Sequence, residues 1–220
     1  MEAVERITGQ VAYLPRQAPP KLIKPKVLLL PRASPDTSRI YAYLRSRGID
    51  TELIDFCIRT GRLYESFPYH NAVFVGLNRY GKPRYANLRG VGTDFVGDAS
   101  GSDKRFSFSI SAPGSGTVHL FESAIDLLSY ATLVKQNGGN WNKEHLVSLA
   151  GVYMPKAELR ESSMPLALKR YLSENTEIHS IVLRLDNDAI GGRAAKALVS
   201  ILSGRYEVSV QPPPYGKGLQ

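Results

Sequence analysis

The sequence predicts an α/β protein built on a mostly parallel four-stranded sheet flanked by helices, with a smaller α+β module ahead of it. Three observations carry that prediction. From Thr117 onward, short apolar runs alternate with helical patterns in the order strand, helix, strand, helix, strand, helix, strand, the layout of parallel strands joined by helical crossovers. Two acidic clusters, Glu122 with Asp126 and Asp186-Asn187-Asp188, stand where an apolar run gives way to a helix. A chain of 220 residues, 43% hydrophobic and 22% charged, is ordinary for a globular protein and long enough to bury a sizeable core.

Residues 1–27 read as a basic, proline-rich arm. Pro15, Pro19, Pro20 and Pro25 break any periodic pattern, and Lys21, Lys24 and Lys26 supply the charge. A small α+β module over 28–97 follows. Ile40, Tyr43 and Leu44 fall at helical spacing between Ser38 and Arg47, and Gly48 is placed to end that helix. Asp50 to Ile54 begins a second helix, and Leu63-Tyr64 is more extended. Ala72 to Leu77 is a strand, Asn78 to Lys82 a turn with Gly81 in it, and Pro83 to Arg89 the returning partner.

The second domain is assigned to 98–220. Gly97 to Asp103 is a loop by composition. Lys104 to Ile110 alternates with period two and is expected to be a strand with one apolar face. Past Ala112-Pro113-Gly114-Ser115-Gly116, Thr117 to Phe121 is a buried strand, and the helix opened by Glu122 runs through Leu127, Leu128 and Tyr130 towards Gly138-Gly139. Leu146 to Ala150 is the next strand, Pro165 to Glu174 a helix with proline at its permissive start, and Ile181 to Leu185 the third strand. Gly192 to Leu202 is the last full helix, Tyr206 to Val210 the fourth strand, and Gln211 to Gln220 a loop.

Composition excludes several function classes. One cysteine, Cys57, rules out an intrachain disulfide or a multi-cysteine zinc site, and its apolar surroundings suit a small buried hydrophobe. The four histidines show no metal-ligand spacing, and His119 reads as structural or partly exposed. No apolar stretch reaches the roughly 18 residues of a spanning helix, and the N-terminus lacks the layout of a secretory signal. A cytoplasmic protein without membrane contact is the expectation. Neither a G-x-G-x-x-G nor a P-loop follows any predicted strand, which disfavours a dedicated small-nucleotide binder. The net charge of +8, with a pI near 9.6, favours a polyanionic partner. Arg79, Arg89, Lys104 and Arg105 are candidate phosphate contacts, each equally readable as part of a solvated basic face.

In an open α/β sheet, ligands bind in the crevice beyond the carboxyl ends of the strands. Carboxylates gathered there supply hard oxygen donors of the kind a divalent cation such as Mg²⁺ takes. Asp186 and Asp188 can converge where the chain turns, and Gly191 and Gly192 let the backbone bend tightly beside them. An Asp-x-Asp pair alone is as common in turns and helix caps as in metal sites. Two strand-end acids with a glycine at fixed spacing and an acid after an earlier strand make a stronger pattern.

That pattern resembles the toprim domain of bacterial primases, topoisomerases and related nucleases, which has a glutamate after its first strand and an Asp-x-Asp after its third. Here the motifs read Phe121-Glu122-Ser123-Ala124-Ile125-Asp126 and Asp186-Asn187-Asp188 with Gly191, and Ser148-Leu149-Ala150-Gly151 is similar to the small-residue turn of primases. Ser123 stands where many members have glycine. Upstream, residues around Leu44 to Ile49, Phe74 to Arg89 and Gly101 to Lys104 resemble an uncharacterised module that precedes toprim domains in proteins of conjugative and other mobile elements.

The resemblance implies catalytic roles for Glu122, Asp186 and Asp188. These three would bind one or two Mg²⁺ ions, or Mn²⁺ in their place, with Asp126 supporting or joining them. It implies DNA, single-stranded first, or RNA as partner, nucleotides as substrates, and a replication protein as a further partner. Primase-like nucleotidyl transfer stands ahead of strand cleavage. A non-catalytic nucleic-acid-binding module is the alternative, and acids serving only as helix caps is another. Two departures from the pattern stand out. No zinc module can be built from one cysteine, and Gly216-Lys217 is followed by Gly218-Leu219-Gln220, where related proteins tend to carry an acid.

Overall fold

The computed structural model describes residues 27–151, 153–156, 158 and 162–214. The arm up to residue 26 and the Gly216-Lys217-Gly218 ending therefore lie outside the described residues. Two sheets form. The first is antiparallel in the order β1 (Leu63–Glu65), β2 (Ala72–Leu77), β3 (Pro83–Arg89), β4 (Val96–Asp98). The second has the order β5 (Ser109–Ile110), β7 (His145–Ser148), β6 (Thr117–Phe121), β8 (Ser180–Leu183), β9 (Glu207–Val210). In it β6 pairs parallel with β7 and β8, β8 pairs parallel with β9, and β5 adds an antiparallel edge. The expected parallel core of four strands is present, with one short strand more.

Side-chain alternation sorts the layers. On β2, Ala72 and Phe74 join a core cluster with Ile40 and Leu44 of α1 (Ser38–Ser46) and Leu53, Ile54 and Cys57 of α2 (Thr51–Arg59). Val73 and Val75 face the other side with Ala86 and Ala99, and Leu28 packs there. Both faces are covered, which is why the strand reads as a continuous apolar run rather than an alternating one. The first cluster also takes in Phe121, Leu146 and the inner face of α3 (Ala124–Gln136), so one apolar core runs from the antiparallel module into the parallel sheet. Val118, Leu120, Val147, Ile181 and Leu183 point to the opposite face, against α4 (Leu166–Glu174) and α5 (Ala189–Leu202).

Four segments depart from expectation. Lys104–Phe106 is a 3₁₀ turn, capped by Asp103 accepting from the Arg105 N–H at 3.1 Å, and only Ser109–Ile110 is strand. Phe106 leaves the period-two pattern because its ring lies between Arg84 (4.6 Å) and Arg170 (3.9 Å). Its carbonyl closes on Gly76, where a Cβ would stand 1.6 Å away. Gly97 and Asp98, expected in a loop, pair with Leu88 and Asn87 as part of β4; glycine and aspartate are poor strand formers, so composition hid this edge. β7 ends at Ser148 rather than Ala150, which has a φ of 60°. α5 begins at Ala189, ahead of the expected Gly192, because Asp188 caps it.

Candidate active site

Strand order places the site. β6 leads to β7 on one side, and the chain then crosses back to β8 on the other, so β6 and β8 flank the point where the connections diverge. Glu122 follows the carboxyl end of β6 and Asp186 that of β8, so both lie at the crevice where open α/β sheets take ligands. Their separation is closed by a direct contact: Glu122 Oε1 accepts the Asp186 N–H at 3.3 Å.

Glu122 is only 7% exposed. Burial pushes its carboxyl up to about 7; the negative charge of Asp186 adds to the rise, the Asp186 N–H opposes it, and Asp126 and Asp188 raise it further. The other three acids of the sequence motif therefore all act on Glu122.

Two of the acids also serve as helix caps. Asp188 is the N-cap of α5, its Oδ1 accepting from the N–H groups of Ile190 (2.9 Å) and Gly191 (2.8 Å). Asp126 closes a capping box on α3, its Oδ2 accepting from the Ser123 N–H (3.1 Å) and hydroxyl (2.6 Å). The serine standing in place of the family glycine thus has a local reason. Gly191 is required by proximity rather than by dihedral: a Cβ there would lie 2.1 Å from the Asp186 carbonyl oxygen. Nothing lies within 4 Å of a Cβ placed at Gly192. Among the described residues no group of three or more His, Cys, Asp and Glu side chains is placed to hold a metal ion.

The cleft in front of Glu122, about 240 Å³, has one wall from each sheet. Glu122, Ser123, Ser148, Ala150 and Gly151 form the parallel-sheet wall, and Tyr85, Asn87, Arg89, Asp98 and Lys104 line the other. The turn after β7 is fastened to the site: the Ser148 hydroxyl (3.3 Å) and the Gly151 N–H (3.0 Å) both donate to the Glu122 carbonyl. Ala150, in the left-handed region disfavoured for a residue with a side chain, is held there between them.

Of the four basic candidates, the structure brings Arg89 and Lys104 into the cleft. Lys104 reaches Asp98 at 3.3 Å and the Ala150 carbonyl at 3.5 Å, bridging the two walls. Arg105 turns back to grip Asp103 through both Nε and Nη2. Arg79 lies in the β2–β3 turn, stacked on Tyr80 at 4.7 Å and outside the cleft. Sequence reasoning missed Asp98, which accepts from the Tyr85 hydroxyl (2.7 Å) and Asn87 Nδ2 (3.0 Å). The signal was there: Tyr85, Asn87 and Arg89 share one face of a period-two strand.

His119, 4% exposed, is structural. Its Nδ1 accepts from Arg184 Nε (2.9 Å), its Nε2 meets Glu144 (2.6 Å), and its ring stacks on Tyr130. Cys57 is buried, which pushes its thiol up to about 12, out of nucleophilic range.

Residues 42–114 match a family described as protein of unknown function (DUF3991), and residues 119–218 match the family described as Toprim-like. The chain carries a toprim domain. The toprim match spans Glu122, Asp126, Asp186 and Asp188 together. Among solved structures, the primase fragment of the bacteriophage T7 primase-helicase protein matches with a TM-score of 0.54 and 15% identity, over 81% of this chain and 67% of that one. The E. coli primase catalytic core matches at 0.52 and 13%, over 84% and 68%. The DnaG primase catalytic domain bound to ssDNA matches at 0.51 and 12%, over 84% and 69%. At these identities the likeness is one of fold, and it extends through the antiparallel module as well as the toprim domain. No curated protein sequence matches the chain. No helix among the described residues is long and apolar enough to cross a membrane.

Proposed function

We propose that this toprim protein carries out Mg²⁺- or Mn²⁺-dependent, primase-like nucleotidyl transfer on a DNA strand. The observation that carries the reading is Glu122: a buried carboxyl pushed up to about 7 with Asp186, Asp126 and Asp188 all contributing, at the mouth of a cleft with Arg89 and Lys104 on its far wall. Burial and the charge of three neighbouring acids both disfavour an ionised Glu122, and a divalent cation is a ligand that relieves this. Glu122, Asp186 and Asp188 would hold it. Asp126 supports them through the cap that fixes the start of α3. The bound ion would supply positive charge to the oxygens of a phosphoryl group. Arg89 and Lys104 are suited to orient phosphates against it, and Glu122, if left outside the coordination sphere, titrates in the range useful for accepting a hydroxyl proton. We assign residues 28–97 as the module that supplies Arg89, and 98–220 as the domain that supplies the acids and Lys104. Among the structural neighbours are primase domains, one of them described as bound to ssDNA. Single-stranded DNA with nucleotides is accordingly the substrate pair proposed.

The test is primer synthesis and nicking on single-stranded and duplex DNA, with Mg²⁺, Mn²⁺ or chelator, beside Asp188→Asn. Asparagine keeps the cap of α5 and removes the charge. Metal-dependent synthesis lost in Asp188→Asn supports the reading; metal-dependent nicking without synthesis moves it to a toprim nuclease. A second reading, nucleic-acid binding without chemistry, draws on the cap roles of Asp126 and Asp188 and the lack of a ready-made triad of ligands among the described residues. It predicts salt-sensitive binding that Glu122→Gln leaves intact, with neither synthesis nor nicking by the parent.

A further inference from the structure

A second cavity lies beyond Arg89. Strand β3 runs from that residue into the loop Gly90–Phe95, and behind the loop a groove of about 840 Å³ opens against α1. Arg39, Tyr43, Ser46 and Arg47 line it from the helix, and Gly90 to Asp94 from the loop, so its lining carries two arginines and one carboxylate. Arg39 is exposed, and Arg47 has a buried Nε with no hydrogen-bond partner among the described residues.

In the chain, between the groove-lining Asp94 and the cleft-lining Val96, stands Phe95, 51% exposed. Its position is fixed rather than incidental. The Gly90 N–H donates to the Phe95 carbonyl at 2.8 Å, and the ring lies over Gly97, where a Cβ would come within 3.2 Å of it. A Cβ at Gly90 would lie 1.9 Å from the Thr93 hydroxyl, so the loop closes tightly only with glycine there. The chain thus holds a half-exposed aromatic ring against glycine, next in sequence to a groove that carries two arginines. Single-stranded nucleic acid is bound by this combination: bases stack on aromatic faces, and a positive groove follows the phosphates.

We propose that the groove between α1 and the β3–β4 loop is a track for single-stranded nucleic acid, continuous with the cleft. In it Phe95 acts as a base-stacking platform, and Arg39 and Arg47 as phosphate contacts. The track rests on the reading that the cleft accepts nucleic acid, and it assigns the strand a path through the antiparallel module. Tyr43, half-buried on the same face of α1, is a second stacking surface.

The experiment is fluorescence anisotropy of the full chain with labelled oligo(dT), oligo(rU) and a blunt duplex, across a salt series. It compares the parent with Phe95→Ala, Arg39→Glu, and Lys196→Glu, a charge-matched control at an exposed position of α5. Phe95→Ala should weaken oligo(dT) binding at least about fivefold. Removing the Arg39 contact should lower the slope of log affinity against log salt by about 0.7, and Lys196→Glu should do neither. Arg39 and Phe95 are surface residues, so melting curves matching the parent confirm that the variants fold. The DNA and RNA arms decide which strand is preferred; a duplex bound as well as the single strands overturns the track. So does a parent that binds no oligonucleotide, or equal affinity in all variants. If Phe95 and Arg39 matter but no primer is ever made, the track stands and the catalytic reading falls. Primer synthesis indifferent to both residues would instead keep the catalytic reading and overturn the track.

Discussion

Glu122→Gln should make the metal-free protein more stable while removing its response to Mg²⁺. The ordinary carboxyl value is 4.5, and in the folded chain Glu122 is held near 7. The native state therefore keeps a proton that the unfolded state has already released. Below 4.5 both states are protonated and the effect vanishes. As the pH rises from 4.5 to about 7, unfolding becomes progressively easier, and beyond that the penalty is constant. At about 1.36 kcal/mol per pH unit, the full penalty above pH 7 is at most about 3 kcal/mol. Relaxation of the neighbouring acids and water entry lower it, so about 1–2 kcal/mol is the working figure.

A glutamine at this position keeps an oxygen for the Asp186 N–H and carries no charge. The expected gain at pH 8 is then about 2–8 °C in Tm, at roughly 2–4 °C per kcal/mol for a chain of this size, shrinking to nothing near pH 4.5. Melting curves of both proteins at several pH values, with chelator and with Mg²⁺, check it. With Mg²⁺ present the parent should gain stability at pH 8 and the variant should not. If Glu122→Gln melts at or below the parent at pH 8 in chelator, while the parent's own Tm does not fall between pH 5 and 8, Glu122 carries no penalty from burial or from its acidic neighbours. A cation would then have no repulsion to relieve at this crevice.

Gly191→Ala should lose about 1–3 kcal/mol in denaturant melts, because its Cβ cannot sit 2.1 Å from the Asp186 carbonyl without moving that loop; the Mg²⁺-induced Tm rise should fall with it, whereas Gly192→Ala should be tolerated. Asp126→Ala should cost about 1 kcal/mol through the lost capping box, and Asp126→Asn much less, so a loss of metal response in Asp126→Asn would mark it as a ligand. Lys104→Ala should weaken nucleic-acid binding more than Arg105→Ala in filter-binding assays, since Lys104 lines the cleft and Arg105 is engaged by Asp103.

What the sequence shows depends on how local the deciding interaction is. β6, β8 and α3 were readable because apolar periodicity and the acids beside them are set by burial and capping within a few residues. The toprim motif carried the site for the same reason: Glu122 and Asp186 occupy strand ends whatever the rest of the chain does. The 3₁₀ turn at Lys104 was not readable, since it is decided by Arg84 and Arg170 gripping Phe106 from distant elements. Asp98 was hidden for a related reason. Its place in the cleft wall follows from Tyr85 and Asn87 across a strand pairing that Gly97 disguised. Ser123 could be misread as a simple departure from the family pattern, whereas the capping box ties it to Asp126.

The cap roles of Asp126 and Asp188 are compatible with a metal site. Each cap uses one carboxylate oxygen, Oδ2 of Asp126 and Oδ1 of Asp188. A carboxylate fixed through one oxygen by backbone N–H groups has little rotamer freedom left, so its second oxygen is presented in a set direction. Helix starts also favour negative charge through the macrodipole, and these two caps stand beside a buried Glu122 that is pushed up to about 7. The chain thus divides the work among its acids. Those anchored on helices hold charge in place, and the one buried at the end of β6 is left holding a proton until something positive arrives. A cation titration read by proton release should therefore give close to one proton per site near pH 6, fading by pH 8, and Glu122→Gln should release none. Proton release that is the same in parent and variant would assign the titrating group elsewhere.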